Sequence, residues 1–383
     1  MNCEKLFETI DSLYDSYLDV WEEACNIESP SRYKAGVDAV GDYFAAFAKQ
    51  KGWKVEFSMQ EVSGNVVAIT MNPDADKAPL VLSGHMDTVQ PVGLFGTPAV
   101  RRDDQYIYGP GVTDCKGGII AALLAMDALE RCGFKSRPIK LLLQSDEEVS
   151  SRPSNGATMR YICEQSKDAI GFLNLERNYP GLAVLVRKGT ITFTFEVTGK
   201  EAHASLCAKA GASAILDAAH KIIEIEKLKD HDGLTCNVGV IEGGTVANTV
   251  PGKCTFKANV RYVDADQLAE VREYMQSVAD TVHVAGCTCK LTYPKGRVAM
   301  PYRERNAALL ARMNEIFEEN GLPRLEVMKS NGASDAADIS DYGIPCVDSL
   351  GVDGGRLHSA EEYALLESLK DAAKRAAAVA FCI

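Results

Sequence analysis

His85 and Asp87 stand two residues apart in "LVLSGHMDTVQP", where an apolar run stops. Two apart on an extended chain means the same side. A metal-binding imidazole needs its second ring N–H held by an acceptor, and a carboxylate does that well. A strand end capped by polar residues is the alternative. In "YGPGVTDCKGG" Asp114 lies in a glycine-rich loop just ahead of an apolar helical run. Glycines let the chain turn tightly and bring a short carboxylate inward. Here the alternative is Asp114 as a helix N-cap. The glycine spacing and the missing Lys-Ser/Thr pair exclude a phosphate-binding loop. "LLLQSDEEVSS" ends another apolar run on Asp146, Glu147 and Glu148. Like charges repel, so either a cation joins them or the loop is simply solvated. Adjacent residues of an extended chain point opposite ways, so one glutamate can hold a metal while the next faces water or substrate. "AIGFLNLE" ends on Glu176, and "GGRLHSAEEY" places His358 in a loop ahead of the last helix. Two histidines and three carboxylates suit a pair of zinc ions with one carboxylate bridging.

Such groups need strand ends to carry them. "PLVLSG", "IKLLLQS" and "AIGFLNL" read as strands apolar on both faces. They alternate with helical patterns over 34–51, in "GGIIAALLAMDALERCG" and in "SNGATMRYICEQS". That texture predicts an α/β domain with a largely parallel sheet, whose sites form outside the carboxyl ends of the strands. From about Gly189 the pattern changes. "TITFTFEVTG" alternates with a period of two, and the order from there on is β-α-β-β-α-β, that of a ferredoxin-like α+β sandwich. After Pro294 the α/β texture returns, with a helix over 305–319, a strand over 345–350 and a C-terminal helix from Ser359. The expected organisation is a catalytic domain in two parts, 1–187 and 296–383, with a smaller domain inserted over 188–295.

The chain has 383 residues, 46% of them hydrophobic, and a net charge of −12. Without a long basic block, nucleic acid and anionic membrane are poor partners. The N-terminal stretch is acidic and amphipathic and lacks the features of a secretory signal. The longest apolar run is too short to span a bilayer. The expectation is a soluble, cytoplasmic protein. Its twelve scattered cysteines read as reduced, packed thiols rather than a disulfide framework. His220, His231 and His283 have no matching partners in the sequence and read as surface or packing residues.

The motifs "GHMDTV", "GPGVTDCKGG", "SDEE", "NTVPGKC" and "HSAEEY" resemble those of the two-zinc exopeptidases and deacylases. That family includes glutamate carboxypeptidase, acetylornithine deacetylase, succinyl-diaminopimelate desuccinylase and aminoacylase. The likeness runs over nearly the whole chain, inserted domain included, and looks nearest to the glutamate carboxypeptidase branch. It implies that His85 and Glu176 hold one zinc, that Glu148 and His358 hold the other, and that Asp114 bridges; cobalt and manganese are alternative metals. It implies further that Asp87 orients His85 and that Glu147 is the general base. The inserted domain is expected to act as a lid and to pair two subunits, so that His203, with Asn248, reaches the partner's site. Arg297, Arg261 and the backbone around Gly332 are the candidates for binding a substrate carboxylate. "EAHASLCAKAGASAI" keeps His203 but lacks the glycine and proline that often follow it. The implied reaction is hydrolysis of an amide bond next to a free carboxylate, in a small peptide or an N-acyl amino acid. Two other readings stand beside it: a deacylase of the acetylornithine or succinyl-diaminopimelate type, and a non-catalytic zinc-dependent binding protein.

Overall fold

The computed structural model describes residues 3–230 and 233–383, so His231 lies outside the described residues. The chain forms two compact units. The first runs to Leu185 and resumes over Tyr302–Lys329 and Ser334–Ile383; the second comprises Val186–Pro301 and Ser330–Ala333.

The first unit is built on a six-stranded sheet in the order Lys54–Ser58, Val66–Met71, Ile139–Gln144, Leu80–His85, Gly171–Asn174, Cys346–Val347. The last four strands run parallel and the first two are added antiparallel. Val66–Met71, Leu80–His85 and Gly171–Asn174 are buried along their whole length, as strands covered by helices on both faces must be. The helix Lys116–Arg131 is buried on nearly every side and packs between Cys3–Asn26 and Ser368–Cys382. Its start requires glycine. A Cβ on Gly118 would lie 2.0 Å from the carbonyl oxygen of Leu175, and this close approach sets the loop carrying Asp114 against the chain carrying Glu176.

Two features depart from the sequence reading. Lys54–Ser58 and Val66–Met71 are strands that the apolar pattern left unassigned. The C-terminal helix begins at Ser368, not Ser359. The intervening Tyr363–Leu365 is a short strand paired with Tyr106–Tyr108, where the rings of Tyr106, Tyr108 and Tyr363 pack together. Cross-strand aromatic packing outweighs the helical pattern there.

In the second unit an antiparallel sheet runs in the order Thr235–Gly243, Lys253–Tyr262, Gly189–Thr198, Thr288–Thr292. With helices Ala214–Glu226 and Ala265–Asp280 this is the ferredoxin-like arrangement. Gly189–Thr198 alternates buried with more exposed positions, and its Phe195 stacks on Phe256 at 4.6 Å. Each helix opens on a side-chain cap: Ser213 Oγ accepts from Leu216 N–H and Asp264 Oδ1 from Gln267 N–H. No disulfide joins the described cysteines, and most of them are buried. No described helix is long and apolar enough to cross a membrane.

Candidate metal centre

The parallel register of Ile139–Gln144, Leu80–His85 and Gly171–Asn174 places three carboxyl ends side by side. His85 closes the middle strand. Glu147 and Glu148 follow one neighbour and Glu176 follows the other. Asp114 arrives from the loop ahead of Lys116–Arg131, joined to Cys115 by a cis peptide, and His358 from the loop after Gly354–Gly355. These groups converge. His85 Nε2 lies 3.0 Å from Asp114 Oδ1 and 3.8 Å from Glu176 Oε1. His358 Nε2 lies 3.1 Å from Asp114 Oδ2 and 3.3 Å from Glu148 Oε2. The two oxygens of Asp114 thus face two different imidazoles.

The site is dry. Side-chain exposure is 2% for His85, 9% for Asp114, 7% for Glu148 and 14% for Glu176, against 55% for His358. Burial, with Asp114, Glu147 and Asp348 nearby, holds Glu176 well above the usual carboxylate range. Burial likewise raises Glu148. Asp114 is lowered, because bonds to His358 and His85 outweigh its burial. Hydrogen bonds to Asp114 and Glu148 push His358 up to about 10. Burial works against a charge on His85, yet Cys115, Glu176, Asp114 and Asp87 together raise it. The set is rich in carboxylate and short of positive charge.

His85 Nδ1 sits 2.9 Å from the main-chain oxygen of Asp87. A carbonyl only accepts, so Nδ1 carries a proton and Nε2 turns toward carboxylate oxygens. Lone pairs facing one another there need a cation or a second proton between them. A divalent metal meets that need, and one ligand atom each from His85, Asp114 and Glu148 fall within 4.8 Å of one another, as do those of His85, Cys115 and Glu176. The residues present therefore fit a metal. Cys115 is engaged elsewhere. Its Sγ accepts the His85 main-chain N–H at 2.9 Å, and burial pushes the thiol up to about 12.

The carboxylate of Asp87 lies beside the His85 ring and also reaches the chain that carries Glu147 and Glu148. Its Oδ1 is 3.5 Å from His85 Nδ1, and the Asp87 main-chain oxygen is nearer the same atom, at 2.9 Å. The carboxylate accepts the main-chain N–H of Glu147 at 3.0 Å and of Glu148 at 3.2 Å, and the hydroxyl of Ser31 at 2.6 Å. Asp146 turns away into the protein, accepting from Thr158 Oγ1 at 2.6 Å and Ser154 N–H at 3.3 Å. Ser31, Thr158, Gln90 and Glu362 are supporting residues that sequence reasoning missed. Glu361 and Glu362 are adjacent and alike in sequence. Glu361 is exposed and paired with Arg356, whereas Glu362 is fully buried and burial raises it to about 7.

The other predicted site residues lie in the second unit. His203 is exposed on the short strand Ala202–His203, paired with Thr249–Val250, and the Asn248 carbonyl accepts Ala204 N–H at 2.9 Å. Ser205 N–H donates to His203 Nδ1 at 3.3 Å. The neutral ring therefore carries its proton on Nε2, which can donate. Arg297 is buried, and its carbonyl accepts from Tyr262 Oη at 2.7 Å. Arg261 Nη1 donates to the Asn331 carbonyl at 2.6 Å. The Gly332 N–H is taken by Ser330 Oγ at 3.1 Å. His220 and His283 stack on each other at 5.1 Å, remote from any ligand group in sequence.

The chain is similar in sequence and in fold to known proteins. Carboxypeptidase G2 of Pseudomonas sp. (strain RS-16) is 26% identical over 361 residues, 92% of this chain and 86% of the relative. Acetylornithine deacetylase of Myxococcus xanthus is 31% identical over 228 residues, 56% of this chain and 57% of the relative. In fold, the chain is similar to aminopeptidase PepT from Bacillus cereus (TM-score 0.78, 21% identity, 99% of this chain and 98% of that one). It is similar too to the M20 family metallo-carboxypeptidase Sso-CP2 from Sulfolobus solfataricus (TM-score 0.74, 20% identity, 95% and 98%). Residues 81–381, most of the chain, match peptidase family M20/M25/M40. The chain belongs to that family and is a hydrolase of its metallopeptidase and deacylase group.

Proposed function

We propose that the protein is a two-zinc exopeptidase that cleaves an amide bond next to a free carboxylate, in small peptides or N-acyl amino acids. The observation that carries this is Asp114: its oxygens face His85 and His358 at 3.0 and 3.1 Å, the disposition of a carboxylate shared by two ions. His85 and Glu176 would hold one ion, Glu148 and His358 the other. When bound, the ions supply the polarisation that brings a water's pKa to about 7 and draws charge onto the carbonyl oxygen. Glu147 takes the proton from the attacking water and returns it to the leaving nitrogen. Asp87 holds the Glu147 main chain in place for both transfers.

His203, through Nε2–H, and Asn248 donate hydrogen bonds to the developing oxyanion. Arg297 and Arg261 bind the substrate carboxylate, and Gly332 lines its place. In this reading His203 and Asn248 act across a homodimer formed through the inserted domain. Thr235–Gly243 is an edge strand of the second unit's sheet with Val240 and Ile241 exposed, which supports sheet extension between subunits. A set of thiols without disulfides supports a cytoplasmic location.

The long match to a carboxypeptidase favours peptides as substrates; the shorter, 31% identical match to an acetylornithine deacetylase supports the second reading, a deacylase. A panel of dipeptides and N-acetyl amino acids with zinc, read by amine release, separates the two. Glu147→Ala abolishes turnover and leaves metal bound. Normal activity in that variant removes Glu147 as the base. Metal binding without hydrolysis of any member by the unmodified protein leaves the binding-protein reading.

A further inference from the structure

Glu362 is fully buried, and four donors converge on its carboxylate. Oε1 accepts the main-chain N–H of Thr113 at 3.0 Å and of Asp114 at 3.1 Å. Oε2 accepts Gln90 Nε2 at 2.7 Å and the N–H of Gly111 at 3.3 Å. The main chain joins in: the Glu362 carbonyl accepts Gly109 N–H at 3.2 Å, and the Tyr363 carbonyl accepts Thr113 Oγ1 at 2.6 Å. Every turn of the 109–114 loop is thus tied to one dipeptide. That dipeptide stands four residues after His358. One short segment carries His358 and grips the loop that presents Asp114.

All four side-chain partners are donors. A carboxylate, with acceptor sites on both oxygens, satisfies all four together. An amide of the same shape would turn an NH₂ group toward Gln90 and Gly111 or toward Thr113 and Asp114. Placing a carboxylate in a dry site beside Asp114 is costly unless it secures something the fold needs. What it secures is the Asp114 main chain, one bond from the side chain whose oxygens face His85 and His358.

We propose that Glu362, braced by Gln90, is a positioning residue of the metal centre: it fixes the 109–114 backbone so that Asp114 presents both oxygens to two ions. This rests on the reading of Asp114 as a shared ligand. The test is zinc affinity, measured by competition with a chromogenic chelator, for the full chain carrying Glu362→Gln, Glu362→Asp or Gln90→Ala. Thermal melting of each metal-free protein is recorded alongside. Glu362→Gln weakens zinc by about 10–100-fold, the usual effect of removing a partner of a ligand. Glu362→Asp, which keeps the charge, recovers part of that loss. Gln90→Ala removes one of four donors and weakens zinc by a smaller factor, which keeps the question answerable if the Gln variant does not fold. A lowered melting temperature with zinc affinity within twofold of wild type in the folded variants overturns the proposal and leaves Glu362 a purely structural group. Failure of the unmodified protein to bind zinc is a separate result, which overturns the metal reading itself.

Discussion

Asp87→Asn keeps the shape of the side chain and removes its charge, and three hydrogen bonds feel the change. The carboxylate accepts Glu147 N–H, Glu148 N–H and the Ser31 hydroxyl at 3.0, 3.2 and 2.6 Å. Asparagine has one acceptor oxygen. If that oxygen keeps Glu147, the amide NH₂ faces the Glu148 N–H. Ser31 can adapt by turning its proton to the Thr88 carbonyl, 3.3 Å away, and accepting from the amide. One buried N–H is then left facing another donor, at a cost of about 1–3 kcal/mol. The loop relieves this by moving, and it carries both Glu147 and Glu148. If the whole cost appears in the transition state, kcat falls roughly 5- to 150-fold. Ser31→Ala removes a single charge-assisted bond and lowers kcat by less. The assay is steady-state hydrolysis of a dipeptide at saturating zinc, with far-UV circular dichroism to verify folding. A folded Asp87→Asn enzyme with kcat within twofold of wild type refutes the idea that this carboxylate sets the base.

Asp127, 2% exposed, bonds Lys51 Nζ at 2.5 Å, Arg131 Nε at 3.0 Å and Tyr17 Oη at 3.0 Å. Its burial opposes ionisation, but these partners hold it below the usual carboxylate range. The stabilisation is therefore present above the unfolded pKa and is lost as pH falls through the lower folded one. Asp127→Asn costs about 1–3 kcal/mol at pH 7, discounted because Lys51 and Arg131 reach water, and the gap to wild type narrows below about pH 4; chemical denaturation at pH 7 and pH 3 checks both, and a pH-independent gap contradicts the ion-pair origin. His203→Ala lowers kcat by about 10²–10³, as loss of one oxyanion donor does. Co-expressed with Glu147→Ala, it regains roughly a quarter of wild-type activity under random pairing if the histidine crosses a two-fold axis; verified mixed dimers that stay inactive exclude that crossing. Arg297→Ala loses chiefly substrates with a C-terminal carboxylate, and an equal loss on the carboxamide analogue removes this role.

Much of this could be read in the sequence because strand ends announce themselves. Apolar runs that stop on His85, on Glu147 and Glu148, and near Glu176 follow from burying both faces of a parallel sheet and leaving its carboxyl edge polar. The alternation of Gly189–Thr198 similarly foretold a one-sided antiparallel sheet. What could not be read was pairing across long separations. Nothing local separates Glu361 from Glu362; the difference lies in Tyr363–Leu365 joining Tyr106–Tyr108, which turns one glutamate inward beneath the 109–114 loop. The spacing of His85 and Asp87 pointed to a contact between side chains; the carboxylate lies 3.5 Å from the ring, and the nearer main-chain oxygen, at 2.9 Å, had no signal in the sequence. The side chain also accepts from amides sixty residues away, which only the folded sheet brings near.

The most direct test is zinc reconstitution of the chelator-stripped protein. Zinc is added in known molar ratios while amine release from a dipeptide is followed, with Glu147→Ala titrated in parallel for binding alone. Two ions shared through Asp114 require activity to rise until two equivalents per chain are bound, with Glu147→Ala binding the same two and releasing no amine. Full turnover by the stripped protein, or saturation at one equivalent, contradicts a shared-carboxylate centre.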